Sequence, residues 1–104
     1  QKPVIVLTNR GCYSSTNTFV RDMLCCPLVK TLGDSTGGGS GMPFTSELPN
    51  GWSIRFSACP QYDKNKQHIE FGISPTISCS LDQSDLLKGK DTLIEKAREI
   101  LRQE

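Results

Sequence analysis

Ser14, Ser15 and Thr16 are the residues best placed to do chemistry, because an apolar run breaks at Gly11 just before them and a helical period begins just after. A hydroxyl at such a junction lies near unpaired backbone N–H groups and the positive end of a helix dipole, which favours developing negative charge. That suits a nucleophile. It equally suits an ordinary helix cap, since Ser and Thr are preferred there with or without chemistry. Cys12, in the same turn, is a second candidate for reactivity beside a helix N-terminus.

The elements that must position these residues follow from periodicity. Val4, Ile5, Val6 and Leu7 form a continuous apolar run, as expected of a parallel strand buried on both faces, and Phe19, Val20, Met23 and Leu24 repeat at helical spacing. Pro27 stops that helix, and residues 28–33 read as a second strand. Strand, helix and strand make a βαβ unit with parallel strands, so the serine turn and the loop 34–41 leave the same rim of one sheet, where open α/β sheets place ligands. That loop, Asp34-Ser35-Thr36-Gly37-Gly38-Gly39-Ser40-Gly41, ends without Gly-Lys-Ser/Thr and meets no helix. It is therefore not a P-loop, and reads as a loose, adaptable connection whose backbone can approach a ligand closely.

Residues 43–59 read as a hairpin turning at Pro49-Asn50-Gly51, with Trp52, Ile54 and Phe56 alternating along its second arm. A polar excursion at 63–66 precedes Gln67–Pro75, read as extended, and a short strand at 76–79. The chain closes in a helix with a Thr92/Glu95 capping box and an apolar face of Leu93, Ile94, Ala97, Ile100 and Leu101.

Composition bounds the function. The 104 residues allow one domain at most, and 36% hydrophobic content is lean for a self-sufficient core. The sequence opens on Gln1-Lys2-Pro3, directly against the first strand and without an initiator methionine, so it is expected to be part of something larger. No signal peptide or transmembrane span can be read in it. Twelve Lys and Arg against eleven Asp and Glu leave a net charge of +1, with no basic patch interleaved with aromatics, so a nucleic-acid partner is not expected. Five cysteines cannot all pair within the chain, and the adjacent Cys25-Cys26 suit neither a mutual disulfide nor a zinc site. All except Cys12 are expected to be buried or half-buried thiols, and no metal or other cofactor is implied.

Four segments, in order, resemble the S41 serine peptidases, the family of C-terminal processing peptidases and tricorn-type core domains. They are Val4–Thr8 with its continuation to Asn17, Gly33-Asp34-Ser35-Thr36-Gly37-Gly38-Gly39, Leu48-Pro49-Asn50-Gly51, and Glu70-Phe71-Gly72-Ile73-Ser74-Pro75. The resemblance implies an α/β fold with a ClpP/crotonase-like core, of which residues 1–104 would be the C-terminal part, the upstream part of the same catalytic domain being absent. It implies a serine endopeptidase acting on a peptide or protein substrate through an acyl-enzyme, in or near the cell envelope or periplasm. On this resemblance Ser14 would take the nucleophile position and the Ser15 N–H would be one oxyanion donor, Gly37, Gly38 and Gly39 would line the substrate, and Glu70 is the best candidate for the orienting glutamate.

The departures from the family pattern matter as much. C-terminal processing peptidases place a general-base lysine in the glycine loop, and the matching position here is Gly39, with no lysine between Lys30 and Lys64. Tricorn-type members use a histidine from an upstream segment instead, oriented through a serine and a glutamate. Glu70 stands one residue nearer its glycine than the usual family spacing, which on a strand would turn it away from the site unless a bulge corrects it. His68, the sole histidine, would share a strand face with Glu70 and could complete a Ser–His–carboxylate set within the chain. Alternatives to an incomplete peptidase core are a non-catalytic peptide- or ligand-binding relative, or a structural piece in which Ser14 only caps a helix.

Overall fold

The structure, a computed structural model, describes residues 2–103. The continuous apolar run forms β1 (Val4–Thr8), the helical period forms α1 (Ser15–Met23), and β2 (Val29–Gly33) follows. β1 and β2 pair in parallel from Val4 against Val29 to Thr8 against Gly33, as the βαβ reading requires. β3 (Pro43–Glu47) and β4 (Ser53–Ser57) form the antiparallel hairpin. β5 (Ile77–Ser78) adds in parallel to the far side of β2, so the main sheet runs β1-β2-β5. Thr31 and Thr76 zip that junction together: the Thr76 N–H donates to Thr31 Oγ1 at 2.8 Å and the Thr31 N–H to Thr76 Oγ1 at 3.2 Å.

β1 is an edge strand, which corrects the expectation of burial on both faces. Val4 and Leu7 are each 40% exposed, while β2 in the centre carries buried Val29, Thr31 and Leu32. The core is small, with Val20, Val29, Leu32 and Ile69 as its buried apolar residues. The radius of gyration is 17.1 Å, against about 13 Å for a compact chain of this length. A thickness of only 17 Å leaves one sheet and one layer of helix, so much apolar surface lies open. Phe19 accordingly points outward at 53% exposure although it shares the helical period of Val20.

Several local expectations are corrected by tertiary hydrogen bonding. Gln67–Pro75 is not a strand: the Gly72 N–H donates to the Ile69 carbonyl in a turn, and the glycine loop takes up the backbone on either side of it. Residues 34–41 are not loose, since Thr36, Gly38, Ser40 and Gly41 are buried. Asp91, not Thr92, caps the last helix, α3 (Thr92–Gln103), accepting from the Leu93 and Ile94 N–H groups. Thr92 is occupied by a short helix, α2 (Gln83–Leu87), that periodicity did not suggest: its hydroxyl donates to Asp85 and accepts from the Asp82 N–H. α3 packs on β1 and β2. Cys25, Cys26 and Cys59 are exposed rather than buried, in keeping with the thin fold, and Cys12 and Cys79 are half-buried, all five as free thiols. Among the described residues no helix is long and apolar enough to cross a membrane.

Candidate active site

The β1–α1 turn places Ser14 at the N-cap position of α1, but its hydroxyl does not cap. Ser14 sits at φ 56°, ψ −117°, and its side chain makes no hydrogen bond to the helix N-terminus. A non-glycine residue in this region of backbone space costs about 1–3 kcal/mol and persists only where the surroundings over-determine it. Hydrogen bonds to its backbone do so: the Ser14 N–H donates to Gly38 O at 2.7 Å, and Ser14 O accepts from Thr18 N at 3.1 Å, Ser40 Oγ at 3.1 Å and Thr18 Oγ1 at 3.4 Å. The Ser15 N–H, first in the helix, has no acceptor one turn back within it.

Beneath the turn lies a buried polar knot that the sequence reading passed over. Asn17 is 0% exposed. Its Nδ2 donates to Ser40 Oγ (2.8 Å) and Ile69 O (3.0 Å), and its Oδ1 accepts from Thr36 Oγ1 (2.6 Å). Thr36 Oγ1 in turn accepts the Ile73 N–H, also at 2.6 Å. One asparagine thus ties α1, the glycine loop and the 69–73 turn into a single unit. The signal was present, since Asn17 precedes buried Val20 by three positions and so shares its helix face.

The glycines let these three segments meet. Gly38 has φ +78°, and a Cβ there would fall 2.0 Å from Glu70 O. A Cβ on Gly39 would overlap the Tyr13 ring, 2.2 Å from its Cζ. The ring therefore fills the space through which any side chain at position 39 would leave. Gly37 and Gly39 commit their N–H groups internally, to Cys12 O and Glu70 O, and of the three glycines only Gly39 lines the cavity at Ser14.

Ser14 separates two hollows. One, about 350 Å³, is lined by Tyr13, Gly39, Arg55, Ser57 and Glu70 among others. The second, about 380 Å³, runs past Ser15, Thr18, Ser40 and Met42, and Ser14 and Pro43 border both. Glu70 therefore faces the same space as Ser14, and because it sits in a turn the strand-register slip does not arise. Its Oε1 accepts from Ser57 Oγ at 2.8 Å, while Oε2 is buried with no partner. Ser57, on the last position of β4, is a further site residue not anticipated from sequence. His68 is elsewhere: exposed, its ring tilted against Tyr62 and edge-on to Phe71, and lining a third hollow with Arg21 and Lys64 in which Ser14 takes no part. It shares no strand face with Glu70, since no strand forms there. No group of three or more metal-ligating side chains occurs among the described residues.

The family model for peptidase family S41 matches residues 1–79. A candidate peptidase of Parabacteroides merdae ATCC 43184 is 61% identical and superposes with a TM-score of 0.91, over 95% of this chain and 31% of its own. Mature CPAF complexed with lactacystin (19% identity, TM-score 0.74) is covered over 95% of this chain and 19% of its own. The tricorn protease (23%, 0.72) is covered over 95% and 10% respectively. These two likenesses concern the fold. No curated protein matches significantly. The chain spans about a third of the length of the Parabacteroides relative.

Proposed function

The chain belongs to peptidase family S41, and from that premise we propose that it carries the nucleophile side of a serine endopeptidase site. Ser14 attacks the peptide carbonyl to form an acyl-enzyme, and the Ser15 N–H donates to the resulting oxyanion. Glu70, with one oxygen held by Ser57, presents the other to a base supplied by an upstream part of a longer protein. Gly39 forms the wall along which the substrate backbone passes, in a ClpP/crotonase-like core of which this chain is the C-terminal portion. The observation that carries the reading is the strained, uncapped Ser14 at the start of α1, a pose that a plain helix cap would not need.

One observation favours the alternative of a non-catalytic binding relative: among the described residues no histidine or lysine lines the cavities at Ser14, and Tyr13 fills the space beside Gly39. Labelling by a fluorophosphonate probe separates the two. The full-length protein carrying this chain is expected to be labelled at Ser14, and Ser14→Ala to abolish labelling. The isolated chain is expected to stay unlabelled, because without a base only about 10³–10⁴-fold acceleration over water survives in such sites. An unlabelled full-length protein would favour the non-catalytic binding module instead.

A further inference from the structure

Arg55 stands on β4 with its side chain on the Ser57 face, since successive strand residues alternate, and Ser57 reaches Glu70 from that face. It lines the cavity that holds Ser14. No hydrogen bond or ion pair engages its guanidinium among the described residues, in contrast to Arg21 and Arg98. Glu70, the carboxylate lining that cavity among the described residues, has Oε1 engaged by the Ser57 hydroxyl and Oε2 buried, and neither oxygen pairs with Arg55. A ligand in that cavity thus meets an exposed guanidinium fork that no hydrogen bond or ion pair engages among the described residues.

We propose that Arg55 is a specificity residue which selects peptides carrying a carboxylate next to the bond that Ser14 attacks. The inference rests on the peptidase reading. A guanidinium binds carboxylates in a bidentate pair, and that group could be an Asp or Glu side chain or a free C-terminus.

The test uses the full-length protein and internally quenched peptides in which Asp and Asn are exchanged position by position, each with a free or an amidated C-terminus. The Asp/Asn ratio of kcat/KM at one position, or the acid/amide ratio, should be about tenfold, the low end for a charge-assisted hydrogen bond at a partly solvated site. The Asp series isolates the side chain and the amide series the terminus. Arg55→Gln should bring the ratio close to one, Arg55→Lys should restore part of it, and Arg55→Glu should shift preference to Lys at that position. A ratio near one in the unaltered protein, or one that survives Arg55→Gln, overturns the role of Arg55 while Ser14 labelling stands. Absence of both cleavage and labelling overturns the peptidase reading, and this inference with it.

Discussion

Asn17→Ala should destabilise the protein by about 3 kcal/mol and disarm Ser14 at the same time. The substitution removes three buried hydrogen bonds, to Ser40 Oγ, Ile69 O and Thr36 Oγ1, each contributing about 0.5–1.5 kcal/mol net. Two of the partners keep other contacts: Ile69 O still accepts from Gly72 N, and Ser40 Oγ still donates to Ser14 O. The Thr36 hydroxyl proton is left without its acceptor, which keeps the sum near the middle of the range. Asn17→Asp tests the same geometry with nearly the same volume. It sets a carboxylate oxygen against Ile69 O, acceptor facing acceptor, in a site with no solvent exposure. Burial raises the pKa of such a carboxyl. The ionised form is then the costly one, so stability of this variant should be lowest above the raised pKa and recover as pH falls through it. Urea unfolding followed by circular dichroism reads both variants; the fluorescence of Trp52, 71% exposed in the hairpin, would be a poor reporter. An Asn17→Ala loss of less than about 1 kcal/mol, with Ser14 of the full-length variant labelled as in the unaltered full-length protein, would refute the view that the knot holds the serine turn.

Gly38→Ala and Gly51→Ala share a positive φ but differ in surroundings. The first drives a methyl to 2.0 Å from Glu70 O, whereas the second meets nothing within 4 Å. Thermal melts should show Gly51→Ala costing about 1–2 kcal/mol from backbone strain alone, and Gly38→Ala costing more or failing to fold; equal losses would refute the close packing of the loop. Asp82, capping α2, is held below the ordinary carboxylate value by hydrogen bonds from Ser84 and then from Asp85. Its contribution is therefore present above the unfolded pKa and lost as pH falls through the depressed folded value. NMR titration should find that depression, and Asp82→Ala should remove it together with the protection of the α2 amides.

Legibility in the sequence tracked the range of the interactions. β1, α1, β2 and the hairpin announced themselves through local periodicity and turn chemistry, down to Gly51 at φ 84° in the Asn-Gly corner. The 67–75 segment misled because Ile69, Phe71 and Ile73 alternate as a strand would, yet Phe71 ends 87% exposed. Its backbone donors and acceptors go to Thr36 and Gly39, more than thirty residues away, which no local pattern encodes. Ser14 was legible as a junction residue, whereas its unpaired hydroxyl and left-handed backbone depend on Gly38 and Ser40. Ser57 gave no signal because its role is defined only by where the hairpin base meets Glu70.

The serine pose is fixed without any base beside it among the described residues. The titratable side chains around the cavity at Ser14 are Tyr13, Arg55 and Glu70. The phenol hydroxyl and the guanidinium offer N–H or O–H donors rather than a free base, and the carboxylate already accepts from Ser57. None of the three can take the serine proton efficiently at neutral pH. The strained backbone is nevertheless in place, fixed by Gly38, Ser40 and the Asn17 knot rather than by any hydrogen bond of the Ser14 hydroxyl. On the peptidase reading, a base brought in by another segment would find the geometry ready, and the buried, unpartnered Oε2 of Glu70 marks the point at which its second polar atom would be received.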